Sequence, residues 1–174
     1  QRRKCAQFSF AVVRAIAHAI LMAMKGPGES SAEKLLERDG LQRVPSDKLD
    51  LFQLRDFVPP ELRAELIRLI ERGRRPSTLA DAGDDRYFRT SETCDLDGDE
   101  PAVETLEALL FDLNGIDPAY GEPLQGQRYD VGQEFKPHCD YFNPGGADWA
   151  RYCSVAGQRT WTFMIYLNEV EAGG

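Results

Sequence analysis

The chain has 174 residues, 42% of them hydrophobic and 29% charged, and a formal net charge of -8. That length supports one domain with a core of its own, and the composition is ordinary for a soluble globular protein. With 29 acidic against 21 basic residues there is no excess of positive charge for a polyanion, which argues against a nucleic-acid partner.

Residues 8–25 are apolar nearly all round and follow Arg2-Arg3-Lys4. They read as a buried helix closed by Gly26-Pro27-Gly28. The run mimics a signal peptide, but Arg14 and His18 interrupt it and no small-residue cleavage site follows. It is too short and too interrupted to span a membrane, so no membrane partner is expected. A capping box at Ser30-Ser31-Ala32-Glu33 opens a short helix over 32–38. Residues 51–57 read as a short strand. Pro60 then starts an amphipathic helix carrying Leu62, Leu66, Ile67, Leu69 and Ile70 and closed by Gly73. Residues 76–85 read as loop and 87–94 as strand. The acidic run Asp95 to Glu100 departs from the spacing of a calcium loop and reads as a solvated turn. Val103, Leu106, Leu109, Leu110 and Leu113 define a second amphipathic helix ending at Asn114-Gly115. Strand-like segments follow at 124–129, 135–142 and 160–168. Helices first and strands afterwards imply an α+β arrangement with helices packed on a β core.

The four cysteines (Cys5, Cys94, Cys139 and Cys153) have no CxxC spacing. They read as free thiols in a reducing compartment, and the protein is expected to be cytoplasmic.

His138 and Asp140 are the chemically pointed pair. In an extended segment residues i and i+2 share a face, so imidazole and carboxylate converge. That is two thirds of the facial triad that holds non-haem Fe(II). Cys139 between them faces away and is not read as a ligand. Alone, the triplet is a weak signal that occurs by chance in many proteins. Its context adds Tyr129 upstream and, downstream, a strand with Thr160, Thr162, Met164 and Tyr166 on one face. Such hydroxyls suit a ligand with a carboxylate end.

Several spaced pieces resemble the prolyl 4-hydroxylase branch of the Fe(II)- and 2-oxoglutarate-dependent dioxygenases. They are Arg89-Thr90-Ser91, Arg128-Tyr129, Gly132-Gln133, residues 135–142, Gly157-Gln158-Arg159 and residues 166–174, in the family's order and spacing. The resemblance covers about 51–174, with residues 1–50 as a helical segment of unknown role. It implies a double-stranded β-helix (jelly-roll) core with helices packed on one sheet, incomplete at the C-terminus. It implies His138 and Asp140 as iron ligands, and Tyr129, Tyr166 and Thr162 against 2-oxoglutarate. Arg159, Tyr141 and Arg89 would lie along the groove for a proline-containing peptide. Fe(II), 2-oxoglutarate and ascorbate are the implied cofactors. The family's distal histidine and the basic residue that anchors 2-oxoglutarate would lie beyond Gly174, so this chain alone is expected to bind iron weakly and to be inactive.

The implied activity is prolyl hydroxylation by the intact protein. Two other readings of the same residues are dioxygenase chemistry on another side chain or small molecule, and a non-catalytic β-sandwich interaction module.

Overall fold

The computed structural model describes residues 9–17, 29–78, 87–146, 148–154 and 156–172. Five strands form one antiparallel sheet. They are β1 (Ser9–Ala17), β4 (Arg75–Pro76), β5 (Glu92–Asp95), β6 (Gln125–Tyr129) and β7 (Arg159–Tyr166), in the order β4-β5-β6-β1-β7. Among the described residues the edge strands β4 and β7 do not meet, so this sheet is open. β2 (Gln42–Val44) and β3 (Leu51–Gln53) pair separately. The helices are α1 (Glu29–Leu36), α2 (Pro60–Gly73), α3 (Pro101–Asn114) and the single turn α4 (Trp149–Tyr152). Among the described residues no helix is long and apolar enough to cross a membrane.

Two expectations fail. Residues 9–17 are a strand, not part of a helix over 8–25; residues 18–25, with His18, lie outside the described residues. β1 sits between β6 and β7 and pairs antiparallel with both, Ala11 facing Gln127 on one side and Tyr166 on the other. A strand flanked on both edges can be apolar on both faces, which removes the alternation that marks a strand. Val12, Val13 and Ile16 are β-branched and favour the extended state. Strands therefore do not simply follow helices: the first described element lies inside the sheet.

The second failure is the strand over 135–142. Only Phe135 pairs, in an isolated bridge to Arg89. Pro137 has no N–H for a ladder, and the chain turns away. The strand expected over 87–94 is likewise confined to β5, and that over 51–57 to β3.

The two amphipathic helices form where the apolar spacing places them. Pro60 and Pro101 occupy first turns, where a missing N–H costs nothing. α3 stops at Gly115, whose left-handed φ of 70° lets its N–H reach the Phe111 carbonyl at 2.8 Å. Leu66, Leu69 and Ile70 of α2 and Val103, Leu106 and Leu110 of α3 make one core with Cys94, Leu124 and Leu167. Phe163 and Ile165 of β7 pack against it. Each fully buried Leu or Ile contributes about 1.5–3 kcal/mol by leaving water. The approach of α2 to the sheet is close: a Cβ on Gly126 would stand 2.2 Å from Ile70 Cγ1.

Helix cover on one face leaves the other face for chemistry. Along β7, Trp161, Phe163 and Ile165 are half-buried while Thr162, Met164 and Tyr166 are exposed, an alternation with the period of a strand. The register puts Thr93, Gln127, Ala11 and Tyr166 in one row across β5, β6, β1 and β7.

Candidate metal centre

The site grows from the chain that leaves β6. Gln133 closes a turn, its N–H on the Asp130 carbonyl at 3.0 Å and its side-chain oxygen on the Asp130 N–H at 2.7 Å. The next residues are tied to 88–90. Thr90 N–H donates to the Glu134 carbonyl at 2.9 Å, and Lys136 N–H donates to the Phe88 carbonyl at 3.0 Å. Phe135 then stacks on the His138 ring with centroids 3.7 Å apart, so the imidazole is fixed on one face.

His138 and Asp140 do converge, although not on a strand. His138 Nε2 lies 3.3 Å from Asp140 Oδ1. His138 Nδ1 lies 2.8 Å from the Lys136 carbonyl oxygen, which can only accept. Nδ1 therefore carries the hydrogen. Nε2 is left facing the carboxylate oxygen, where it can donate to Asp140 as an ion pair or share a metal with it. A carbonyl on the distal ring nitrogen is also how metal-bound histidines are held.

The carboxylate is tethered independently. Thr162 Oγ1 donates to Asp140 Oδ2 at 2.5 Å, leaving Oδ1 for the histidine side. Arg159 Nη1 donates to the Asp140 carbonyl at 3.2 Å. That guanidinium forks onto Glu122, Nε to Oε1 and Nη2 to Oε2, each at 2.6 Å. Burial alone would lower the Arg159 pKa; the Glu122 hydrogen bonds and charge outweigh it, and the net shift is upward. Gln158, at the mouth of β7, grips the Phe142 backbone, accepting from its N–H at 2.9 Å and donating to its carbonyl at 2.7 Å.

Two of the expected site residues make contacts at or beside Asp140. Thr162, expected at the cosubstrate, bonds the Asp140 carboxylate. Arg159, expected along a peptide groove, is engaged by Glu122 and the Asp140 main chain. Tyr141 is 59% exposed beside the ligands and Tyr166 is 52% exposed on the open face.

A polar layer lies next to this pair. Tyr129 donates to Gln127 Oε1 at 2.8 Å. Burial pushes its phenol pKa up, against a hydrogen bond to Ser91 and the charge of Arg89. Arg89 donates to Ser91 Oγ at 3.3 Å, Thr93 Oγ1 at 2.9 Å and the Thr78 carbonyl at 3.3 Å. Its guanidinium covers the Phe135 ring at 4.7 Å, the ring that also stacks on His138. Burial lowers its pKa.

The donor set fits a divalent first-row metal as far as it goes: one imidazole with Nε2 turned to the site and one oriented carboxylate. Among the described residues no third His, Cys, Asp or Glu joins them. Cys139 is exposed between the two; among the described residues Cys94, Cys139 and Cys153 are free thiols. Glu122 and Gln158 were not singled out from the sequence. Their partners lie 37 and 16 residues away, and only the Gly157-Gln158-Arg159 motif marked the vicinity of Gln158.

Comparison with known proteins bears on the family of the chain. The chain is 35% identical over 125 residues to "Prolyl 4-hydroxylase subunit alpha-3" of Mus musculus, covering 68% of this chain and 22% of that protein. It is 32% identical over 128 residues to "Probable prolyl 4-hydroxylase 3" of Arabidopsis thaliana, 71% of this chain and 43% of the relative. With "Probable prolyl 4-hydroxylase 10" of the same plant it shares 31% over 124 residues, 68% of this chain and 41% of the relative. No family model matches the chain, and no solved structure does. The chain is thus similar to prolyl 4-hydroxylases over most of its length, and it spans less than half the length of each of these relatives. The similarity supports the family that the sequence motifs resemble.

Proposed function

We propose that the intact protein is an Fe(II)- and 2-oxoglutarate-dependent dioxygenase that hydroxylates prolyl residues of a peptide or protein. One observation carries the reading: His138 Nε2 and Asp140 Oδ1 face each other at 3.3 Å, with the second carboxylate oxygen held by Thr162. The similarity to proteins named prolyl 4-hydroxylases supplies the substrate class.

In this reading His138 and Asp140 hold the metal, and a further ligand completes the set in the intact protein. Iron held there would supply oxidative decarboxylation of 2-oxoglutarate to succinate and CO2 by O2, with the second oxygen atom going into a C–H bond of the substrate. The chain's own residues do the rest. Lys136 fixes the histidine tautomer through its carbonyl. Thr162 and Arg159 orient Asp140. Tyr129 and Tyr166 line the cosubstrate side, where phenol groups can donate to a carboxylate. Arg89 and Tyr141 meet the peptide, the first by charge and hydrogen bonding, the second by a ring face suited to proline. Ascorbate restores enzyme oxidised in turnovers without peptide. The fold in this reading is the jelly roll of the family, to which the open sheet contributes its strands, and the compartment is the cytoplasm.

The test is succinate release by the intact protein supplied with Fe(II), 2-oxoglutarate and proline-rich peptides. Peptide-dependent succinate supports the proposal. Succinate with hydroxyl on another side chain moves the substrate class, and no turnover with any peptide removes the enzyme reading.

A further inference from the structure

The ligand loop lacks the ladder a strand would give it. After the Phe135 bridge, residues 137–142 have no strand partner among the described residues. A free loop carrying both members of the pair would scatter imidazole and carboxylate over many relative positions, at an entropy cost for each residue that metal binding must then order. Phe142 is where that freedom ends. Its side chain is 8% exposed, its ring stacks on Tyr152 at 5.0 Å and the Arg159 guanidinium covers it at 4.4 Å.

The backbone of Phe142 is held by one side chain. Gln158 Oε1 accepts from Phe142 N–H at 2.9 Å and from Arg159 N–H at 3.0 Å, while Gln158 Nε2 donates to the Phe142 carbonyl at 2.7 Å. A primary amide offers one acceptor and two donors. It therefore stands in for the peptide group of a neighbouring strand and satisfies both backbone groups of a buried residue. The same oxygen fixes the Arg159 N–H, and Arg159 in turn holds the Asp140 carbonyl at 3.2 Å. Gln158 thus reaches the ligand by two routes, along the chain from Phe142 and across through Arg159.

We propose that Gln158 is a positioning residue for the metal site, setting metal affinity by holding Asp140 opposite His138 through an amide clamp on Phe142. This rests on the metal reading of His138 and Asp140 given above. Partners outside the ligand shell of metal sites are worth about 10–100-fold in affinity, and a clamp on the loop's end acts at that level. Thr162 and Arg159 touch Asp140 itself; Gln158 does not, and its effect is carried entirely by loop geometry.

The experiment is Mn(II) titration of the intact protein, followed by calorimetry, in wild type, His138→Ala, Gln158→Ala and Gln158→Glu, with the Tm of each metal-free protein measured in parallel. Gln158→Ala is expected to weaken Mn(II) binding about 10–100-fold. Gln158→Glu keeps both accepted hydrogen bonds, loses the one donated to Phe142, and should fall between alanine and wild type. The charge-transfer or d–d spectrum of the Co(II) form should shift in the same order. Wild-type affinity in Gln158→Ala with a lowered Tm makes Gln158 a fold residue only and overturns the proposal. If Gln158→Ala does not fold, the Gln158→Glu affinity decides: equal to wild type overturns the proposal, weaker supports it. Failure of wild type to bind Mn(II), or unchanged binding in His138→Ala, overturns the underlying metal reading as well.

Discussion

His138 Nε2 faces Asp140 Oδ1 at 3.3 Å while His138 Nδ1 is committed to the Lys136 carbonyl. The imidazole is thereby oriented with Nε2 toward the carboxylate. Replacing either residue by alanine removes half of the pair. Fe(II) or Mn(II) binding by the intact protein should be lost in both variants, with Tm changed little, because both side chains are about one third exposed. Metal analysis after dialysis checks this.

Thr162 donates to the other oxygen of Asp140. Thr162→Val keeps the shape and deletes the hydroxyl, so the carboxylate rotates more freely. Metal affinity should drop about 10–100-fold, and Thr162→Ser should restore most of it. If Thr162 instead acts only on 2-oxoglutarate, the KM for 2-oxoglutarate rises while Mn(II) affinity stays at wild type.

Glu122 and Arg159 form a forked pair in which neither side chain is more than about one third exposed. Glu122→Gln leaves a half-buried guanidinium without its counter-charge. The expected loss is about 1–3 kcal/mol, less than for a fully buried pair because water reaches both groups. Arg159→Lys gives up the fork and the cover of Phe142 and should cost a similar amount. Chemical denaturation measures both.

Gly126 lies directly under α2. Gly126→Ala drives a methyl into Ile70 and should destabilise by about 1–3 kcal/mol. The double variant with Ile70→Val should recover part of this, giving a coupling that denaturation midpoints resolve.

Burial raises the pKa of Cys94 and Cys153 above the ordinary 9.0, whereas Cys139 is exposed. Alkylation of native protein, read by peptide mass mapping, should label Cys139 well before Cys94 and Cys153. The sign for stability follows from the raised values: the fold disfavours the two thiolates. Their contribution is intact below pH 9.0 and is lost as pH climbs through the higher folded values. Stability should therefore fall above pH 9.0, and less so in Cys94→Ala measured against its own neutral-pH value.

The helices were legible because Leu66, Leu69 and Ile70, and Val103, Leu106 and Leu110, recur at helical spacing with proline at the first turn. β1 was not. Between two paired strands its apolar residues carry no period, and pattern alone could not separate a buried strand from a buried helix. The convergence of His138 and Asp140 was anticipated from strand alternation, yet the segment is held by side chains from elsewhere. Gln158, Glu122 and Thr162 supply those tethers across 16, 37 and 22 residues, and no local spacing records such contacts. Tyr129 and Arg89 were marked by family resemblance, and their shared surroundings of Ser91, Thr93 and Gln127 come only from the register of β5 and β6.

The most direct measurement is mass mapping of proline-rich peptides after incubation with the intact protein, Fe(II), 2-oxoglutarate and ascorbate. The proposed function predicts the added mass of one oxygen atom, localised to proline, in wild type and absent in His138→Ala. Unmodified proline with wild-type protein, or equal modification by His138→Ala, would contradict it.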